Sequence, residues 1–281
     1  MTQLSTGIHL KHTHSFSLLL KQWRNQRSLS QLDLAFVSQV SQRHISFLES
    51  GRAKPSRDMV LQLATVLEIP LRQQNLMLSA AGFAPIHTET DLSAPEMSSV
   101  RKALEFMLRQ QEPYPAIVVD RYWNLLLSNK AATRLLTTFI NPTDLQDYFY
   151  RDGAVNLMQV MFDPLGLRPF VVNWEELAEH LLKRLQREVL AEGKHQQSHI
   201  LLNQLINYPG VSELWHLSNR STQNALLLTT HFQRDHLEWK FFSTIATLGT
   251  PYDVTLQELR IEYLFPADEA TECNWKKNIV D

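Results

Sequence analysis

One cysteine, Cys273, is all that the sequence contains. A disulfide within the chain and a cysteine-rich zinc site are both excluded, and such usage fits a reducing cytoplasm. Glycine is scarce too, at 8 residues in 281. There is no GxGxxG, no GxxxxGK followed by Ser or Thr, no GxSxG and no HExxH, so phosphate-cradling loops, nucleophile elbows and zinc helices are missing. The acidic pair Glu175-Glu176 is adjacent, so its carboxylates diverge around a helix instead of converging on a substrate. Neither enzymatic activity nor a cofactor or metal site is expected. No apolar run approaches the roughly 18 residues of a membrane span, and the N-terminus lacks the apolar core of a signal peptide. Internal repeats and low-complexity tracts are absent.

What is present is unevenly distributed. The net charge of −2 conceals nine Lys or Arg against four Asp or Glu in residues 1–87, a net of +5, and a net of −7 in the remainder. A basic head attracts phosphate in a salt-dependent way, whereas an acidic body stays off a duplex. At 44% hydrophobic, the chain can hold two cored domains. Residues 85–95, PIHTETDLSAP, are polar and proline-bounded and read as the linker.

In the basic part, LSQLDLAFVSQVSQRHISFLESG from Leu29 to Gly51 spells two short helices joined by a tight turn. Ser30 is an N-cap with Asp33 three residues on, an approximate capping box that starts a helix at Gln31. Leu34 and Ala35 face inward, Ala35 being small enough for a second helix to cross closely. Ser41 caps that second helix, where Ile45 and Leu48 share one face while Gln42, Arg43, Ser46 and Phe47 project elsewhere. Phe16, Leu19, Leu20 and Trp23 give a preceding helix with one buried face. Gly51 is placed to cap a helix end. After Pro55 and Ser56, Val60, Leu63, Ala64 and Leu67 form another stripe, Pro70 opens a fifth helix, and Ala81-Gly82 closes it.

These residues resemble the Cro/CI-type, XRE-like helix-turn-helix family over 15–84. The resemblance implies an all-α, lambda repressor-like domain of five helices that binds double-stranded DNA. It places Gln31 on the DNA backbone, Gln42, Arg43 and Ser46 in the major groove, and Ser41 and His44 nearer the phosphates. Arg52 and Lys54 fall in a loop where phosphates would run. An amide pairs bidentately with adenine and a guanidinium with guanine, each giving about 1 to 3 kcal/mol of discrimination. It also implies an ion pair between Arg24 and Glu49, a clamp for register more than a source of net stability. The family often has Gly where Gln39 stands and an apolar residue where Ser38 stands, so the turn is where the pattern breaks.

The second domain is expected over 96–268. Residues 97–111 read as helix, then PAIVVD and WNLLLSN as two strands around a turn at Asp120 to Tyr122, with Asn129 capping the next helix. Residues 144–218 read as mainly helical, with a stripe of Trp174, Leu177, Leu181, Leu182 and Leu185. ALLLTTHF, LEWKFFSTIATL and TLQELRIEYLFP then read as three strands of an antiparallel meander, making an α+β layer.

That order, with PAIVVDRYWNLLLSNKAA, FDPLGLRPFVVNWEE and GTPYDVTLQELRIEYLFPADEAT, resembles the PAS-like ligand-binding domain of MmyB-like regulators. The resemblance implies a one-component transcription regulator whose C-terminal domain senses a small, apolar or fatty-acid-like ligand. A pocket between sheet and helical insertion would be lined by Trp123, Leu125, Trp174, Phe241 and Phe242, with Asn129, His231 and Arg260 as polar candidates. The plain alternative makes the aromatics core and Asn129 a helix cap. His9, His12 and His14 form an exposed N-terminal cluster that binds metal at most adventitiously.

The expected partners are duplex DNA, a small-molecule effector and a second copy of the chain in a homodimer, with no membrane. Two other classes compete: a protein-interaction, antitoxin-like module with secondary DNA binding, and an enzyme with an appended DNA-binding head.

Overall fold

A computed structural model describes residues 15–280 apart from 152, 193–195, 219–226 and 250. His9, His12 and His14, and the Ala225-Leu226 start of the ALLLTTHF segment, lie outside the described residues. The chain forms two compact units. One is Met1–Glu89 with Pro251–Gln257, the other Thr90–Thr250 with Glu258–Asp281.

The first unit carries helices α1 (Phe16–Gln26), α2 (Gln31–Ser38), α3 (Gln42–Glu49), α4 (Arg57–Val66) and α5 (Leu71–Ala80). Serine hydroxyls at 15, 30, 41 and 56 accept from the backbone N–H three residues on and start the first four helices. The Ser30–Asp33 capping box is complete, since the Asp33 carboxylate also accepts from Ser30 N at 2.9 Å. α5 follows Pro70 and has no side-chain cap from its own segment. Leu20, Leu34, Ile45, Leu48, Leu63, Leu67, Met77 and Leu78 are fully buried in one cluster. Each is worth roughly 1.5 to 3 kcal/mol of burial, enough to hold five short helices that would not persist alone.

The α2–α3 turn solves its missing glycine locally. Gln39 adopts the left-handed conformation, φ 54° and ψ 32°, that the turn requires. Ser38 is buried, with its hydroxyl donating to Leu34 O at 2.5 Å, and its carbonyl accepts from Gln62 Nε2 at 2.6 Å. A polar side chain is tolerated inside because its donor is used.

The second unit opens with α6 (Ser98–Gln110), β1 (Ala116–Val119), β2 (Leu125–Ser128) and α7 (Lys130–Phe139). A single turn, α8 (Pro142–Asp144), leads to a ribbon of β3 (Tyr150–Arg151) and β4 (Ala154–Val155), so the stretch expected to be mainly helical contains a small hairpin. The helices α9 (Leu157–Phe162), α10 (Trp174–Glu192), α11 (Gln196–Ile206) and α12 (Val211–Ser218) follow. Strands β5 (Thr229–Arg234) and β6 (Leu237–Ala246), helix α13 (Val254–Glu258), strand β7 (Arg260–Pro266) and helix α14 (Glu269–Val280) complete the order.

The main sheet is antiparallel throughout, in the order β2-β1-β7-β6-β5. This is the α+β, PAS-like arrangement: a sheet with helices packed on it. β1 is buried at all four positions because it is internal and covered. Ile117 and Val119 pack in one cluster with Ala178, Leu182 and Leu185 of α10. Trp239 and Phe241 of β6 meet Trp275 of α14 edge-to-face, at 4.8 and 5.3 Å between ring centroids.

The segment TLQELRIEYLFP, expected to be one strand, divides. Its first part is α13, and only Arg260–Pro266 is strand. The Asp253 carboxylate accepts from Thr255 N at 2.8 Å, a local turn that competes with extended backbone, and this part belongs to the first unit. Among the described residues, no helix is long and apolar enough to cross a membrane.

Candidate DNA-reading surface and ligand cavity

α3 is held from below and open above. Ile45 and Leu48 are fully buried, whereas Gln42 and Arg43 are exposed, and His44 and Ser46 are half-buried. Ser41 caps the helix, its hydroxyl accepting from His44 N at 3.3 Å. At the other end Gly51 sits at φ 72°, and Arg52 N donates to Phe47 O at 2.9 Å, which turns the chain sharply. Arg52 and Lys54 then lie exposed on the following loop.

Phe47 organises the cations. The Arg43 guanidinium stands 5.3 Å from its ring centroid and that of Arg52 6.0 Å. Sequence reasoning passed over this role, although the four-residue spacing of Arg43 and Phe47 on one helix was a signal for it.

The end of α3 is clamped. Arg24 donates from Nε to Glu49 Oε1 at 2.6 Å and from Nη2 to Oε2 at 3.0 Å, and from Nη1 to Leu29 O at 2.7 Å. Gln31 donates from Nε2 to Glu49 Oε2 at 2.8 Å, so its amide is tied into this cluster. Burial works to raise the Glu49 carboxyl, but hydrogen bonds from Arg24 and Gln31 and the Arg24 charge hold it below its ordinary value.

The second unit contains a cavity of about 1360 Å³, walled by sheet residues on one side and by α7, α9 and α10 on the other. Trp123, Phe241 and Phe242 line it, together with Leu135, Met158, Leu181, Ser243 and Leu264. The polar part of its lining comes from α10, with Glu175, Glu176, Glu179, His180, Lys183, Arg184 and Arg187, and from Glu262 of β7. Burial foremost, then the charges of Arg187, Arg184 and Lys183, lowers the His180 imidazole below its ordinary value, which favours the neutral ring at pH 7. Burial likewise lowers the Arg184 guanidinium.

Trp123 is the unusual residue. The Asp120 carboxylate accepts from Tyr122 N, Asn124 N and Asn124 Nδ2 at 2.8–2.9 Å, closing the β1–β2 turn and leaving Trp123 left-handed at φ 68°. For a bulky side chain that conformation costs on the order of 1 to 3 kcal/mol. Its ring lies 4.3 Å from the Arg184 guanidinium and 5.6 Å from that of Arg260. The indole Nε1 is buried with no hydrogen-bond partner among the described residues.

The other expected ligand contacts are elsewhere. Asn129 caps α7, accepting from Ala132 N and Ala116 N and donating to Leu108 O and Tyr114 O, so its amide is fully spent on the fold. His231 Nε2 lies 2.9 Å from Glu238 on the paired strand. Trp174 packs edge-to-face on Phe162 and carries Arg168 over its ring. Leu125 is half-buried at the start of the edge strand β2. Arg260 reaches the cavity only through Trp123, while its Nη1 lies 2.9 Å from Glu188 Oε1. Arg184 is not evident from the sequence pattern, because it sits beside Leu181 and Leu185 in a stretch of α10 whose signal is the apolar stripe.

Two family models match the chain: the MmyB-like transcription regulator ligand binding domain over residues 100–274, and a helix-turn-helix over residues 20–74. No curated protein matches. Among solved structures, the chain is similar to an RNA-binding light-oxygen-voltage receptor at 10% identity and a TM-score of 0.27, with 98% of this chain covered. It spans 64% of the length of that receptor.

Proposed function

The chain belongs to the MmyB-like transcription regulators, and from that premise we propose that it binds a specific duplex DNA sequence under the control of an apolar, fatty-acid-like ligand. It acts in the cytoplasm as a homodimer, on two-fold related half-sites about one helical turn apart. The observation that carries this reading is the presence in one chain of a helix-turn-helix with exposed Gln42 and Arg43 and a large, mostly apolar cavity whose lining includes charged side chains of α10.

On the head, Gln42 and Arg43 read base edges from α3 and Ser46 completes the contact. Ser41, His44, Arg52 and Lys54 position the backbone, and Gln31 does so from the Glu49 cluster. In the body, an acidic ligand group lies against Trp123 Nε1 and the Arg184 guanidinium, and its apolar part extends along Leu135, Phe241 and Leu264. A buried donor without a partner and a strained backbone in the same residue are what a site built for a ligand acceptor would contain.

Selection of duplexes from a random-sequence pool, followed by binding over a salt series, tests the DNA half. A Kd tighter than roughly 10⁻⁷ M with a steep salt slope is expected, and absence of any sequence preference refutes it. Native mass spectrometry of the purified full chain tests the ligand half, with dodecanoate added as the probe. Binding that weakens about tenfold in Trp123→Phe is expected. An apo mass throughout refutes it.

A further inference from the structure

Strands β6 and β7 pair from Phe241–Pro266 to Ala246–Ile261, yet the chain between them does not close as a tight hairpin. It runs from Thr247 to Leu259, includes α13, and contributes Pro251–Gln257 to the first unit. Hairpins usually close in two to five residues, so a long excursion with its own helix is a feature to be explained.

Its contacts in the first unit are specific. Gln257 Oε1 accepts from Leu71 N at 2.7 Å, supplying the cap that α5 lacks from its own sequence. Thr88 Oγ1 donates to Asp253 Oδ2 at 2.7 Å, and Val254 N donates to Thr88 O at 2.8 Å. α5 packs on α1 and α4, and α1 carries the Arg24 that clamps the end of α3.

The other end of the excursion is anchored at the cavity. Glu258, the residue after Gln257, accepts from Arg121 Nη1 at 2.6 Å. Arg121 belongs to the β1–β2 turn, two residues before the strained Trp123 of the cavity wall. Both strands joined by the excursion also line the cavity, through Ser243 and Ile245 on β6 and Glu262 and Leu264 on β7.

We propose that the β6–β7 connection is the lever by which occupancy of the cavity alters the DNA-reading head, through the Arg121–Glu258 pair at one end and the Gln257 cap on α5 at the other. This rests on the ligand-responsive reading above. A shift of Trp123 or of the β6–β7 register moves Glu258. The adjoining Gln257 then tightens or releases the first turn of α5, and α1 passes the change to α3. Such coupling needs an element with two arrangements that both ends can bias, and a capped or uncapped α5 is one.

The test is amide hydrogen exchange on the full chain, native and Asp253→Ala/Gln257→Ala. Each is measured with and without Ala132→Leu, which narrows the cavity from within, and with and without dodecanoate as a probe. Loss of the two side chains alone should quicken exchange at the start of α5 about fivefold. Cavity filling by either route should change α5 exchange in the native background and leave it unchanged in the double variant, while β6 and β7 respond in both. An α5 response that survives loss of the lever overturns the proposal and leaves the ligand-responsive reading intact. If β6 and β7 respond but α5 does so in neither background, both fall. No response of β6 and β7 to either perturbation removes the link between cavity and sheet, and the proposal with it.

Discussion

Replacing Glu49 by alanine in the full chain should destabilise the helix-turn-helix unit by about 3 to 5 kcal/mol, the range for stranding one partner of a buried ion pair. The side chains of Glu49 and Arg24 are 3% and 10% exposed, so neither charge is well served by water. Glu49 accepts two hydrogen bonds from Arg24 and one from Gln31. Without it the guanidinium keeps its desolvation cost and, among the described residues, retains the hydrogen bond to Leu29 O at 2.7 Å. Removing both charges is a different matter. Arg24→Met/Glu49→Leu conserves volume and should lie within about 1 kcal/mol of the native chain, because burying the pair is itself costly.

The assay is urea unfolding followed by amide exchange in α1 and α3, which reports on that unit separately from the body. The folded Glu49 carboxyl lies below its ordinary 4.5, so the unfolded chain takes up the proton first as pH falls. Its contribution is therefore complete above about 4.5 and is lost as pH falls through the lower folded value. Glu49→Gln should flatten that acid-side loss. A Glu49→Ala cost below about 1 kcal/mol, or a double variant no more stable than the single one, refutes the clamp.

Gln39→Gly should stabilise the same unit by about 0.5 to 1 kcal/mol, read as a raised urea midpoint, because relief of the left-handed backbone exceeds the entropy that glycine adds to the unfolded chain. Ser30→Ala breaks the complete capping box of α2 and should cost about 1 kcal/mol by the same measurement. In competition binding on a selected duplex, Arg43→Ala should lose about 1 to 3 kcal/mol at one base pair, whereas Arg52→Ala should weaken all sequences alike. Equal effects from the two changes contradict the assigned roles. In the body, Leu182→Ala removes a fully buried side chain of α10 and should cost about 2 to 5 kcal/mol, seen in the thermal unfolding of the full chain.

Local chemistry made the head readable. Serine caps, a capping box and apolar stripes are short-range signals, and each helix start follows from a hydroxyl three residues from the N–H that it accepts. The body was readable where one strand or helix is a self-contained pattern, as in the buried β1 and the α10 stripe. It was not readable at TLQELRIEYLFP, where aromatic and β-branched residues read as one strand, because the local Asp253 turn and α13 are held by Thr88, far back in the chain. Residue type and position in a pattern point to Leu125, Asn129, Trp174 and His231 as residues of the cavity, but none of them lines it. Which side chain faces a cavity depends on twist and on the helices laid over the sheet.

What the sequence by itself determined was the existence of five helices before residue 85, four of them started by a serine cap, a basic head on an acidic body, and an antiparallel sheet interrupted by helices. Those properties are set by neighbours within one helical turn or along one strand, and by charge that is additive along the chain. Only the tertiary structure decided that Trp123 is strained, without a partner at Nε1 among the described residues, and flanked by Arg184 and Arg260. It also decided that residues 251–257 belong with α5 rather than with the strands they join. The physical reason is range: Gln257 meets the N–H of Leu71 across 186 positions of chain. No periodicity or cap signal carries across such a distance, so the contact exists only once residues 251–257 have packed into the first unit.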